Sequence, residues 1–386
     1  MRDHFLVFGA PVLTEEDLEA VLATFRSGWI GTGPKAAEWE QTFARYTGAK
    51  HAVSLSSCTA ALHLAMLSLG IQPGDEVITT PMTFCATANA ILHAGARPVF
   101  ADVDPRTGLI QPAEIERRIT PRTRVILPVH LAGRACSMRE ILALCEAWGL
   151  ALIEDCAHAI ETLYEGQHAG TFGRAGCFSF YVTKNLTAIE GGMVITNDQD
   201  IAEQIQTRAL HGLTADAWKR FSDAGFKHYE MVSLGYKYNF PDVHAALALS
   251  QFKRLETNLQ RREAIWRRYD AAFANLPCLI PPPPEPGTRH ARHLYTLLLD
   301  LDALTISRDR FLDELHQRNI GGGVHYLSLH LHRYYREQFG LRPQDYPHAL
   351  WHSDRTVSLP LSAGLTEADV ADVIEAVTDV LTRFKR

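Results

Sequence analysis

Residues 51 to 70 read HAVSLSSCTAALHLAMLSLG. The first six form an apolar, strand-like run, the remainder is helical, and the stretch ends on a glycine, a common helix stop. The same unit returns along the chain: DEVITT then ATANAILHAG, PVFADV then PAEIERRI, RVILPVH then MREILALCEAWG, and finally ALIEDCA. Strands alternating with helices imply a mostly parallel sheet covered on both faces. Ligands of such sheets collect at the carboxyl ends of the strands. Polar residues stand at those junctions: Ser56 to Thr59, Thr80 to Phe84, His130, Glu154 to His158, and Thr183 with Lys184.

Outside this unit the pattern changes. TEEDLEAVL near the N-terminus reads as a capped helix, and the short apolar patch before it is neither a signal peptide nor a membrane span. Residues 245 to 276 read as one long helix leading out of the layer, stopped by PPPPEPG at 281 to 287, which cannot be helix interior. HLYTLLLDLD (293 to 302) then reads as a strand, RDRFLDELHQRNI as a helix closed by Gly321 to Gly323, and residues 366 to 384 as an amphipathic helix with Thr366 as cap. The expected division is a large α/β domain over 1–250, carrying the N-terminal helix, and a smaller α+β domain over 251–386.

Composition excludes several classes. The chain has 386 residues, 46% of them hydrophobic and 21% charged, the balance of a globular protein. The formal net charge is -6 with no block of like charges, which argues against nucleic acid and against a membrane surface as partner. An anionic ligand therefore needs a local site. Seven cysteines are scattered singly without CxxC or Cys/His spacing, so neither a metal site nor a disulfide framework is expected, and a cytoplasmic location fits.

Four junctions carry chemistry. Ser57 reads as an N-cap, which leaves the first N–H groups of the following helix free and pointing at a site suited to phosphate. No P-loop signature accompanies it, so a nucleoside triphosphate is not favoured. Asp155 closes an apolar strand, where a carboxylate needs a partner, either a ring cation or an arginine. His158, three residues on, is not at HExxH spacing. Lys184 follows the aromatic run CFSFYV and precedes the pair Gly191–Gly192. A desolvated lysine has a depressed pKa and becomes a nucleophile suited to Schiff-base chemistry with an aldehyde, whereas an ordinary surface lysine would do nothing. A phosphate cradle, an aspartate for a pyridinium nitrogen, an aromatic for stacking (Phe84 in TPMTFCATAN) and a lysine at a strand end are the parts of a pyridoxal phosphate site.

With these motifs in order, the chain from about residue 6 to 382 resembles the fold type I pyridoxal phosphate enzymes of the DegT/StrS group, the nucleotide-sugar aminotransferases. The stretches that carry the resemblance are SGWIGTGPKAAEWE, SLSSCTAALHL, TPMTFCATAN, VILPVHLAG, IEDCAHA, FSFYVTKNLTAIEGGMV, GYKYNFPDVHAAL and GGGVHYLSLHLHRYYR. The resemblance implies a seven-stranded, mostly parallel sheet with flanking helices. It assigns Lys184 to the lysine that bonds the cofactor, Asp155 to the pyridine nitrogen and Phe84 to the ring face. Cys58, Thr59 and Ser179 match phosphate contacts, and His158 a position near the cofactor. Asn239 matches an asparagine reaching the phosphate of the neighbouring subunit, which implies a homodimer with shared active sites. Thr32 and His325 match segments bordering the sugar-nucleotide pocket.

The implied reaction moves an amino group from glutamate, through pyridoxamine phosphate, to the keto group of a nucleotide-linked sugar. A 4-keto-6-deoxyhexose on UDP or dTDP is the expected acceptor. A 3-keto sugar, or a cofactor-binding regulator without a sugar substrate, are the alternatives. A dinucleotide oxidoreductase would share the alternating pattern, but no GxGxxG follows the first strand. One departure concerns geometry: Ala188 and Ile189 replace the Thr-Gly pair that many relatives carry before Glu190, putting a β-branched residue where a flexible one is usual.

Overall fold

The computed structural model describes residues 2–214 and 230–386. Its centre is a seven-stranded sheet. The first five strands in sequence are β1 (His51–Leu55), β2 (Glu76–Thr79), β3 (Arg97–Phe100), β4 (Thr123–Leu127) and β5 (Ala151–Asp155). A hairpin of β6 (Leu163–Tyr164) and β7 (Gln167–His168) intervenes before β8 (Ala175–Ser179) and β9 (Gly192–Thr196). The order across the sheet is β1-β9-β8-β5-β4-β2-β3. Neighbours from β3 through β2, β4 and β5 to β8 pair parallel, whereas β9 runs antiparallel to both β8 and β1. All strands but β9 therefore deliver their carboxyl ends to one edge, and the polar junctions of the sequence meet there.

Helices α1 (Glu15–Ser27), α2 (Pro34–Thr47), α3 (Cys58–Ser68), α4 (Cys85–His93), α5 (Pro112–Arg118), α6 (Met138–Trp148) and α7 (Gln199–Ala209) surround the sheet. Helix α3 buries Cys58 and every residue from Ala60 to Met66, because it is apolar on all sides and packs between sheet and helices. The glycine pair after Lys184 has a steric reason. A Cβ on Gly192 would stand 2.3 Å from the Ser57 carbonyl carbon and 2.5 Å from the Cys58 nitrogen, so only glycine lets β9 lie against the start of α3.

The long helix expected over 245 to 276 is two helices, α8 (Asp242–Phe252) and α9 (Leu255–Phe273). No proline or glycine breaks it. Instead Arg254, just past the break, turns its guanidinium to the buried Asp17 and to the carbonyl of Val12, while the Gln251 side chain reaches Asp17 at 2.9 Å. The turn is thus fixed by a tertiary ion pair, and α8 stays with the large layer, against α1 and α2. Helix α9 leads into a second core with the sheet of β10 (Cys278–Leu279), β11 (Tyr295–Leu299) and β12 (Thr356–Leu359). Around it stand α10 (Arg308–Gln317), α12 (Pro347–Arg355) and α13 (Glu367–Arg383), whereas α11 (Arg333–Phe339) packs through Tyr335 with Met82, Ala88 and Phe100 of the large layer. Thr366 caps α13 in a reciprocal capping box with Asp369, as its sequence predicts.

Candidate active site

At the carboxyl edge the site is built from loop ends. Ser57 accepts a hydrogen bond from the Ala60 N–H at 3.1 Å, so the N–H groups of Cys58 and Thr59 remain without intrahelical acceptors. Asp155, 3% exposed, ends β5. Its Oδ2 accepts from the Thr87 hydroxyl at 2.8 Å, and its Oδ1 from the Ala157 N–H at 3.0 Å. Thr87 is in turn held by Thr83 at 2.7 Å. Burial raises the Asp155 pKa, against the pull of those two donors and of Lys184. Among the described residues Asp155 forms no salt bridge.

Lys184 lies in the loop after β8, its backbone N–H bonded to the Tyr181 carbonyl at 2.9 Å. Loss of water around the ammonium lowers its pKa to about 8, with Cys58 and Asp155 opposing the shift. The neutral, nucleophilic amine is thereby far more populated near neutrality than in an ordinary lysine. Burial, with Asp155 second, raises the Cys58 thiol well above its ordinary range, so it stays protonated.

His158, also buried, receives the Ala132 N–H on Nδ1 at 3.2 Å and faces the Tyr326 hydroxyl through Nε2 at 3.1 Å. Its pKa falls well below the ordinary imidazole value through burial and the nearby Lys184 charge. His293 packs 4.5 Å from it, ring centre to ring centre, and takes the Asn185 side chain at 3.0 Å. His325 bonds the Ser358 hydroxyl at 2.8 Å, and burial beside Lys184 lowers its pKa to about 4. Phe84 is 58% exposed, with the Tyr326 ring 6.1 Å away. Ser179 stands at the end of β8, its hydroxyl 3.4 Å from the Tyr181 nitrogen.

Two residues assigned from the sequence lie elsewhere in the chain. Asn239 donates to the Thr32 hydroxyl at 2.7 Å, and both line a cavity of about 750 Å³ beside Trp29 and Ser54, in which Lys184 and Asp155 take no part. Asp242 fixes this region by accepting the N–H groups of Gly33, Lys35 and Ala36 at 2.8, 3.0 and 2.9 Å. Sequence reasoning missed Thr87, Asn185, His293 and Tyr326. Thr87 lies three residues after Phe84, within one helical turn, and Asn185 adjoins the lysine; these spacings were the available signals. Tyr326 adjoins His325, the same kind of signal, whereas nothing local marked His293; the approach of both to His158 depends on how the C-terminal segment folds back.

Residues 11–378 match the DegT/DnrJ/EryC1/StrS aminotransferase family. The chain belongs to that family. It is 46% identical over 381 residues to the spore coat polysaccharide biosynthesis protein SpsC of Bacillus subtilis, covering 98% of each chain. Among solved structures, the putative sugar aminotransferase Spr1654 of Streptococcus pneumoniae in its PLP form superposes with a TM-score of 0.91 at 32% identity, over 98% of this chain and 99% of that one. PseC of Helicobacter pylori, an aminotransferase involved in pseudoaminic acid biosynthesis, gives 0.91 at 30% identity, over 99% and 100%. This member of the DegT/DnrJ/EryC1/StrS family is accordingly an aminotransferase with the fold type I architecture, and the family's cofactor is pyridoxal phosphate.

The residues fit that cofactor on observations of this structure. Asp155 is a buried carboxylate that forms no salt bridge among the described residues, which leaves it capacity for a ring N–H. Lys184 is a desolvated amine beside it, α3 offers free N–H groups to a phosphate, and Phe84 leaves an apolar ring face open.

Proposed function

We propose that this enzyme transfers the amino group of L-glutamate to the keto carbon of a nucleotide-linked sugar, a 4-keto-6-deoxyhexose on UDP or dTDP, making an amino sugar for a surface polysaccharide or glycoconjugate. The observation that carries the reading is the desolvated Lys184 amine, its pKa lowered to about 8, near the buried carboxylate of Asp155, which forms no salt bridge among the described residues. The relatives named for spore coat polysaccharide and pseudoaminic acid biosynthesis support the sugar class.

Bound pyridoxal phosphate supplies an aldehyde that takes up amino groups and a ring that accepts electrons from the adjacent carbon. The chain's residues do the rest. Asp155 holds the proton of the ring nitrogen, which its buried position makes a strong electrostatic contact. The Nζ of Lys184 would take the α-proton of the donor and hand it to the cofactor, and would move a proton in the opposite sense for the sugar. Cys58, Thr59 and Ser179 anchor the phosphate, Phe84 covers the ring, and His158 lies at its edge. Thr32 and His325 border the nucleotide sugar.

A homodimer completes the site in this reading, with Asn239 reaching the partner's phosphate group. Its support is a stripe of exposed apolar side chains on one face of α1, Leu18, Leu22 and Phe25, continued by Trp29 and Ile30, next to the cavity that Asn239 lines. We assign the reaction to the cytoplasm. No described helix is long and apolar enough to cross a membrane, and all seven cysteines are free.

The test is direct. Purified protein with glutamate and a panel of 3-keto and 4-keto nucleotide sugars should aminate a 4-keto member, identified by NMR of the product. Lys184→Ala should lose both turnover and the visible absorbance of the lysine-bound cofactor; a variant that keeps both refutes the role of Lys184.

A further inference from the structure

The tautomer of His158 decides where the Tyr326 hydroxyl proton points. The Ala132 N–H occupies Nδ1 at 3.2 Å, so the neutral imidazole carries its proton on Nε2. Nε2 lies 3.1 Å from the Tyr326 oxygen, which must therefore accept. The Tyr326 O–H then has no acceptor among the described residues. The ring is held in place by packing on Leu131, Ala132 and Leu294, and its backbone carbonyl by the Ser353 hydroxyl at 3.1 Å. The Phe84 ring stands 6.1 Å from it, and the Asp155 carboxylate is close enough to act on its hydroxyl. A fixed donor with its proton unused, close to the residues that fit the cofactor, is arranged for a ligand oxygen.

We propose that the Tyr326 hydroxyl donates a hydrogen bond to the carbonyl oxygen of the keto sugar, with His158 holding it in that orientation. Tyr326 arrives from the C-terminal segment, next to His325, rather than from the junctions that fit the cofactor. No proton needs to leave Tyr326: the bond polarises the carbonyl for attack by the amine and strengthens as the oxygen gains charge. Tyr326 thus acts in the sugar half-reaction and not in the glutamate half-reaction. This inference rests on the proposed function.

The test separates the two half-reactions by single-turnover absorbance. Tyr326→Phe should slow the keto-sugar half-reaction by about 10²-fold, while the glutamate half-reaction changes by no more than about threefold. Equal slowing of both, or of neither, overturns the proposal. A wild-type enzyme that reacts with glutamate but with no keto sugar removes the proposed function, and this inference falls with it; a working wild type beside an unaffected variant sinks the inference alone. A second readout needs no cofactor. Long-range ¹⁵N correlation spectra of the cofactor-free protein, assigned against His158→Gln, should show His158 protonated on Nε2. An Nδ1–H tautomer overturns the proposal.

Discussion

Glu154 and Asp155 are consecutive residues of β5, both buried, and they face opposite sides of the sheet. Glu154 is saturated. Its oxygens accept the N–H groups of Gly170, Phe172 and Gly173 at 2.8, 2.8 and 2.9 Å, and His130 lies 3.1 Å away. Although His130, Glu154 and Cys156 bring their ligating atoms within 4.8 Å of one another, this donor set already fills the carboxylate. Asp155 has only a threonine hydroxyl and one backbone N–H, and burial raises its pKa. A buried carboxylate supplied with all its donors holds chains together, whereas one left short keeps capacity for a ligand.

The loops differ in the same way. Around Glu154 the tight positions are glycine: Gly170 has φ of 90° and a Cβ there would stand 2.8 Å from the Phe178 ring. In the loop that begins at Lys184, Ile189 occupies the left-handed region at φ 70°, which a β-branched residue disfavours. The Thr187 hydroxyl accepts the Ile189 N–H at 2.9 Å and helps to hold that conformation.

The sharpest way to break the comparison is Asp155→Asn. Turnover should fall by about 10²- to 10³-fold, with little change in the denaturation midpoint of the cofactor-free protein. Equal losses of stability and activity would place Asp155 with Glu154. The reciprocal variant, Glu154→Gln, puts an amide donor against backbone donors and should cost about 3 kcal/mol of unfolding free energy in denaturant titration, with turnover per folded molecule preserved.

Lys184 adds a pH dependence of smaller size. Its pKa of about 8 in the folded chain lies below that of an unfolded lysine, so between those values the unfolded chain holds the extra proton. The stability of cofactor-free wild type, relative to Lys184→Ala, should therefore rise as pH increases above about 8. A flat difference would mean that the amine is not desolvated. Last, Ile189→Gly relieves the left-handed φ but adds chain entropy on unfolding, so a gain of at most about 1 kcal/mol is expected by thermal unfolding.

Much of this was legible beforehand. The strand–helix alternation and the polar residues at strand ends located Asp155, Phe84, Lys184 and the start of α3, because a strand end and a helix cap are written within a few residues. The antiparallel direction of β9, the break between α8 and α9, and the neighbours of His158 were not. Each of these depends on a partner far away in sequence: Ser57 against Gly192, Asp17 against Arg254, and Tyr326 against His158.

The sequence by itself determined the family, the alternation of strands and helices and the candidate residues for the cofactor, since periodicity and motif spacing are local properties. Only the tertiary structure decided which buried groups are left unsatisfied. A hydrogen bond is a matter of three-dimensional approach, so the spare capacity of Asp155 and the free proton of Tyr326 exist only once distant segments have packed.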